Sequence, residues 1–187
     1  MRIISGKLKG KKLSFLNTPN TRPLRDFVKE NIFNVINHSD LISVKVKDSI
    51  ILDLYSGVGS FGIECLSREA RNVIFVEKDN SAAKVLRKNL NFLSIKDKFI
   101  LHEEKTEIFL SKKKNLYKYD IIFLDPPFAE KGYLEELKSI KKLNILNNDH
   151  LLIIHREKKC SENLENFLNI LLVKNYGRSK IIFATLR

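Results

Sequence analysis

From residue 50 onward, short apolar runs alternate with amphipathic stretches. The runs lie at Ile50–Leu54, 73–76, 99–101, 121–124 and 151–154. Each has the length of a strand, and each is continuous rather than alternating, as in strands buried on both faces. Between them, apolar residues fall at helical spacing: Ala82, Leu86, Leu90 and Leu93 along 81–93, then Leu134, Leu137 and Ile140, then Leu164, Phe167, Leu168 and Leu171. Ahead of the first run, Val28, Ile32, Val35 and Ile36 recur at i, i+4, i+7 and i+8, predicting an amphipathic helix over 25–38 entered through Pro23. Phe27 and Phe33 lie off that stripe; core packing is the expectation for both, with covering a ligand as the alternative. Strands alternating with helices mean βαβ units. The predicted fold class is therefore α/β, a mostly parallel twisted sheet with helices on both faces.

The two ends break the pattern. Apolar residues at 171–173 and 181–184 flank Asn175-Tyr176-Gly177-Arg178, which reads as an antiparallel C-terminal hairpin closing one edge. At the other end, residues 2–4 and 12–15 can pair across 6–10 as a short hairpin, followed by a turn at Asn17-Thr18-Pro19-Asn20. This opening holds Arg2, Lys7, Lys9, Lys11, Lys12, Arg22 and Arg25, with no acid before Asp26. It reads as a basic arm that grips a phosphate backbone, against the plainer reading of a solvated ribbon. Residues 40–48 form a connector. The expected organisation is a basic N-terminal hairpin and helix extension over 1–45 and a cofactor-binding catalytic domain over 46–187, in one compact unit.

Charge changes the picture more than composition does. At 187 residues, 43% hydrophobic and 30% charged, the chain is ordinary for a globular protein, but its net charge of +12 calls for a polyanionic partner. Genomic bias would explain Lys over Arg, yet not basic over acidic. The two cysteines, Cys65 and Cys160, exclude a disulfide scaffold, and the four histidines, His38, His102, His150 and His155, lack metal-ligand spacing. No metal is expected. No apolar stretch is long enough for a membrane helix and no secretory leader is read, so no membrane partner and a cytoplasmic location are expected.

Two motifs carry chemistry. After the first strand, Asp53-Leu54-Tyr55-Ser56-Gly57-Val58-Gly59-Ser60-Phe61-Gly62 places Gly57, Gly59 and Gly62 as G-x-G-x-x-G, with Glu77 20 residues beyond Gly57. That spacing fits a dinucleotide as well as S-adenosylmethionine. Asp53 favours the latter, because a carboxylate repels a pyrophosphate but suits a sulfonium and an ammonium. The candidate cofactor residues are Asp53, Tyr55, Ser56, Gly57, Gly59 and Glu77. After the fourth strand comes Asp125-Pro126-Pro127-Phe128. The prolines bias the chain to extended geometry and present a carboxylate, carbonyls and an aromatic ring at a strand's carboxyl end, where open α/β sheets bind ligands. A plain proline turn is the alternative.

Together these motifs resemble the class I S-adenosylmethionine-dependent methyltransferases that act on exocyclic amino groups, whose signature is Asp or Asn, Pro-Pro and an aromatic. More narrowly the chain resembles the bacterial RsmD-type methyltransferases. The resemblance runs through Arg2-Ile3-Ile4-Ser5-Gly6, Lys9-Gly10-Lys11-Lys12-Leu13, Thr21-Arg22-Pro23, Val28-Lys29-Glu30-Asn31-Ile32-Phe33-Asn34, both motifs above and Tyr176-Gly177. Leu24 and Tyr55-Ser56 with Val58 depart mildly from the family pattern. The resemblance implies a Rossmann-like fold, S-adenosylmethionine as cofactor, and methylation of a guanine N2 in small-subunit (16S) ribosomal RNA, free or in the small subunit. It also implies Asp125, Pro126, Pro127 and Phe128 as catalytic residues, Phe128 stacking on the target base. Either Glu103 or Glu104 could meet the adenine. A monomer is expected. The competing functions are an N6-adenine or N4-cytosine methyltransferase, a nicotinamide-dependent oxidoreductase, and a non-catalytic RNA-binding protein. With only about 45 residues ahead of the sheet, the separate recognition region usual in DNA methyltransferases is not expected.

Overall fold

The five apolar runs form the five parallel strands of one sheet. The computed structural model describes residues 1–16, 24–112, 117–127, 132–160 and 164–187. In chain order the elements are α1 (Asp26–His38), β1 (Ile50–Leu54), α2 (Ser60–Ser67), β2 (Asn72–Val76), α3 (Asn80–Phe92), β3 (Phe99–His102), α4 (Thr106–Ser111), β4 (Tyr119–Leu124), α5 (Tyr133–Leu143), β5 (Leu146–Glu157), β6 (Leu168–Tyr176) and β7 (Ser179–Leu186). The strand order is β3-β2-β1-β4-β5-β7-β6, parallel through β5 and antiparallel over β5-β7-β6. The order reverses between β1 and β4. At such a switch point the loops leaving the carboxyl ends diverge and leave a crevice.

Two apolar layers sandwich the sheet. One joins Ile32, Phe33 and Ile36 of α1 and Phe61 of α2 to Ile51, Phe75 and Phe123 of the strands. The other joins Phe109 of α4 and Leu137 and Ile140 of α5 to Leu52, Ile122 and Leu152. Phe33 stacks on Phe61 at 5.3 Å and Phe61 on Phe123 at 4.1 Å, a column from α1 through α2 to the sheet. The α3 helix starts with Asp79 accepting the Ala82 N–H at 2.8 Å, an ordinary N-cap.

Two expectations change. The helix predicted from Leu164, Phe167, Leu168 and Leu171 is instead a single turn, in which the Leu164 carbonyl accepts from Phe167 and Leu168 N–H, followed by strand β6. A short apolar run with helical spacing is ambiguous, and here the edge of β7 supplies the pairing that decides it. The short helix α4 was not legible in the sequence. The N-terminal hairpin forms and is short: Arg2 and Lys12 make an antiparallel bridge, the Ile3 N–H donates to the Lys11 carbonyl at 3.0 Å, the Gly10 N–H to the Ile3 carbonyl at 2.9 Å and the Leu13 N–H to the Met1 carbonyl at 3.2 Å. The 17–20 turn and Pro23 lie outside the described residues. Phe33 is buried as expected, whereas Phe27 is 65% exposed.

The N-terminal segment is docked rather than loose. The Glu64 carboxylate, fully buried in α2, accepts the Ile4 and Ser5 N–H at 2.8 and 2.9 Å. It also meets Arg68 Nε at 2.9 Å and buried Lys29 Nζ at 3.5 Å. Gly6 runs so close to α2 that a Cβ would lie 1.9 Å from the Ser67 carbonyl oxygen, at a φ of +83° that itself favours glycine. Among the described residues no helix is long and apolar enough to cross a membrane.

Candidate active site

The parallel register builds the site. Asp53 of β1 sits opposite Phe75 of β2 and Phe123 of β4, so the chain leaves all three strands at one level of the sheet. Asp53, Glu77 and Asp125 therefore converge where β1, β2 and β4 end.

Asp53 is 1% exposed, and its Oδ2 accepts the Gly62 N–H at 3.0 Å. Burial pushes its carboxyl well above the usual range; the Gly62 N–H opposes this, while negative Asp125 and Glu77 push it further up. Glu77 ties β2 to the glycine loop, its two oxygens accepting the Gly57 and Asp79 N–H at 2.7 Å each. The loop's conformation is written in its glycines. Gly59 has φ +87°, and a Cβ there would strike Leu86 Cδ1 at 2.3 Å. Gly57 has φ +54° and nothing within 4 Å of an added Cβ, so its side faces open space beside Glu77.

Tyr55 and Ser56 point elsewhere. Ser56 Oγ accepts the Val76 N–H at 3.0 Å and lies 2.5 Å from the Asp53 carbonyl, lashing the ends of β1 and β2 together. Tyr55 reaches the opposite face of the sheet, where its hydroxyl donates to Glu136 of α5 at 2.5 Å. Glu103 and Glu104 follow β3; Arg87 engages Glu103 at 2.7 Å through Nε, and Lys112 engages Glu104 at 2.5 Å. Of the residues expected to be catalytic, Asp125 is partly exposed, Pro126 buried and Pro127 exposed, while Phe128 lies outside the described residues.

Two neighbours of this turn escaped the sequence reading. The register that pairs Leu124 with Ile154 puts Asp125 and His155 on the next rung, and His155 Nδ1 meets Asp125 Oδ1 at 2.8 Å. Burial pulls the His155 pKa down, but the charge of Asp125 and the hydrogen bond to it prevail, and the net shift is upward. Arg156, 1% exposed, donates from Nη1 to the Pro127 carbonyl at 3.2 Å and lies 4.6 Å from the Tyr133 ring centroid. The only sequence signal for His155 is that it ends one apolar run as Asp125 ends another. Nothing in the sequence says those runs are neighbours.

The residues expected to hold RNA divide by height. Arg2 pairs with Asp26 at the start of α1 at 3.8 Å, and Lys12 bridges to Arg2. Lys7 instead pairs with Glu69 at 2.6 Å, past the end of α2 and near where β1 begins. Lys9 shares that turn, hydrogen-bonded to the Gly6 carbonyl at 3.2 Å. Lys11 and Arg25 are exposed, and Arg22 lies outside the described residues.

The donor set suits a small cation with ribose hydroxyls. Three carboxylates share the crevice, and Asp125 and Glu77 raise the cost of ionising Asp53, a field that a sulfonium and an ammonium relieve and a pyrophosphate worsens. Gly57 leaves room beside Glu77, whose oxygens accept but do not donate when ionised.

A family model described as "Conserved hypothetical protein 95" matches residues 1–185. "Ribosomal RNA small subunit methyltransferase D" of Buchnera aphidicola subsp. Baizongia pistaciae is 33% identical over 184 residues, spanning 98% of this chain and 90% of that one. The Haemophilus influenzae protein of the same name is 34% identical over 160 residues, spanning 84% and 79%. Among solved structures, "Putative methyltransferase yhhF from Escherichia coli" superposes with a TM-score of 0.82 at 26% identity, covering 100% of this chain and 97% of that one.

Proposed function

Since the chain belongs to the family of Conserved hypothetical protein 95, the RsmD family, we propose that it is an S-adenosylmethionine-dependent ribosomal RNA methyltransferase, and more narrowly that it methylates the exocyclic N2 of a guanine in small-subunit RNA. The observation that carries this reading is the meeting of Asp53, Glu77 and Asp125 at the carboxyl ends of β1, β2 and β4. The relatives' printed name supports the RNA substrate, and the +12 charge agrees with it.

When bound, S-adenosylmethionine supplies an electrophilic methyl group on a cationic sulfur. Asp53 and Glu77 would hold it, Asp53 through the cationic methionine part and Glu77 through the ribose hydroxyls, with the open side of Gly57 leaving room beside Glu77. Asp125 and the Pro126 carbonyl accept the two N–H bonds of the target amine. Its lone pair is delocalised into the purine ring; holding both hydrogens favours a pyramidal nitrogen and aims the lone pair at the methyl. As the C–N bond forms the C–S bond would break and a neutral thioether leave; the nitrogen becomes positive, the Asp125 carboxylate stabilises that charge, and one N–H proton passes through Asp125 to solvent. His155 engages Asp125 Oδ1 and so fixes the carboxylate's rotation, while Arg156 holds the Pro127 carbonyl and hence the turn. Phe128 stacks on the base, which is unpaired or flipped out to reach the crevice.

Asp125→Ala is expected to lower methyl transfer to small-subunit RNA by at least about 100-fold, the usual loss of a transition-state hydrogen-bonding group, and to keep S-adenosylhomocysteine affinity by calorimetry. Full turnover by this variant would sink the assignment. Mass spectrometry of product nucleosides tests the finer reading: N2-methylguanosine supports it, and N6-methyladenosine or N4-methylcytidine replaces it.

A further inference from the structure

Phe27 was expected in the core, and the structure leaves it 65% in water. Its position follows from α1. The helix's last turn is held by Lys45, whose Nζ donates to the Ile36 carbonyl at 3.3 Å just before β1 begins, so α1 descends from the carboxyl edge of the sheet to the amino edge. Phe33 is level with Phe61 and, through it, with Phe123, two residues before Asp125. Phe27 lies six residues earlier, about 9 Å higher along the axis at 1.5 Å per residue, which places it above the edge where the crevice opens.

The C-terminal hairpin rises to the same place. Glu157 of β5 pairs with Ser179 of β7, and Tyr176 of β6 pairs with that same Ser179, so the tip stands past His155 on the carboxyl side. There Tyr176 meets Phe27 edge to face, centroids 5.8 Å apart and planes at 86°. Such a contact fixes two rings from different elements while covering only one side of Phe27.

Charge says what this surface takes. Residues 166–187 contain no Asp or Glu but carry Lys174, Arg178, Lys180 and Arg187. Lys174 and Arg178 are exposed on either side of Tyr176, and Arg25 is exposed two residues before Phe27. Asp26 is occupied by Arg2 at 3.8 Å and Lys29 at 3.9 Å. The helix that carries the ring also bears Asp26 and the exposed Glu30, whereas the hairpin against it is acid-free; an exposed ring beside those hairpin cations fits a stacked base with its phosphates, a pairing that single strands offer and duplexes do not. A protein partner would need its own acidic patch matched to these cations.

We propose that Phe27, steadied by Tyr176 and flanked by Arg25, Lys174 and Arg178, is a docking platform for an unpaired RNA nucleotide next to the one entering the crevice. The platform rests on the methyltransferase reading for its "next to", but its binding is measurable without turnover.

The test uses the full chain and a fluorescent mixed-sequence single-stranded RNA of about ten nucleotides, long enough to span one such groove, with a duplex of the same sequence alongside. Phe27→Ala is expected to weaken single-strand binding about 5- to 150-fold, the loss of one stacked base, with an unchanged salt slope and unchanged Tm. Phe27→Trp should restore the affinity. Arg178→Ala should weaken binding with a smaller salt slope. Parental single-strand affinity in Phe27→Ala overturns the platform, as does equal loss on single strand and duplex. The two readings separate cleanly: RNA binding through Phe27 without any methyl transfer keeps the platform and removes the enzyme, whereas methyl transfer at parental KM and affinity by Phe27→Ala removes the platform alone.

Discussion

A single buried carboxylate sets the tension in this site. Asp53 is nearly inaccessible, has one backbone N–H for company, and shares its surroundings with two more acids. Its folded pKa is raised above the value near 3.9 of an unfolded Asp. Between those two values the unfolded chain has lost a proton that the folded chain keeps. Stability therefore falls as pH rises through that window, and the loss is complete above the folded pKa. Asp53→Asn, which keeps the acceptor for Gly62 N–H and drops the charge, should raise Tm at neutral pH by about 2–4 °C, roughly 1 kcal/mol for a domain of this size. The gain should vanish toward pH 4. The same change should cost about tenfold or more in S-adenosylmethionine affinity, since a charge-assisted contact is lost. Calorimetry of both variants across pH checks the pair of effects. A variant less stable than the parent at pH 7 would mean Asp53 is well paired in the folded chain.

At the scale of elements, the N-terminal segment shows how a stretch that looks like a loose arm becomes part of the fold. Its backbone is captured by Glu64, which answers the Ile4 and Ser5 N–H and compensates Lys29 and Arg68 at once. Burial lowers the Lys29 pKa, with Glu64 and Asp26 opposing, so this amine depends on its acidic partners to stay charged. Glu64→Ala leaves buried cations and two N–H groups without their acceptor, a loss of about 3–5 kcal/mol for breaking one side of a buried pair. Hydrogen exchange at Ile4 and Ser5 should quicken accordingly, and Tm should drop steeply. A variant whose Tm and exchange match the parent would show the segment to be held instead by its hydrogen bonds to Ser67 and Asn89 and the apolar contacts of Ile3 and Leu13. The edge strands tell a related story: the helical reading of Leu164 to Leu171 fails because β7 offers an open edge, and pairing outweighs local spacing.

For the whole molecule, the basic residues of the N-terminal segment and the hairpin tip divide by height. Arg2, Lys12, Arg25 and Arg178 sit toward the crevice, while Lys7 and Lys9 lie at the opposite end, Lys7 already paired with Glu69. Binding of single-stranded RNA should weaken with salt, each phosphate contact adding about 0.7 to the slope of log K against log salt. The triple change Lys12→Ala, Arg25→Ala, Arg178→Ala should therefore reduce that slope by about 2. Lys7→Ala with Lys9→Ala should leave it nearly as it was. Equal slope losses from both sets would mean that RNA wraps the molecule without preference for the crevice side.

The sequence alone determined the parallel α/β core, the glycine loop with Asp53 and Glu77, and the extended Asp125-Pro126-Pro127 exit from the fourth strand, because each is local. Continuous apolar runs, helical spacing and conformationally restricted residues declare themselves within a few positions. What only the tertiary structure decided is adjacency. His155 reaches Asp125 because β5 lies beside β4 in register, 30 positions apart in the chain. Glu64 captures Ile4 across 60 positions. Tyr55 turns to Glu136 rather than into the crevice, and Phe27 finds Tyr176 instead of the core. A pattern along one strand or helix fixes which face is buried, but not which other element covers it, so partners this distant appear only once the chain has closed on itself.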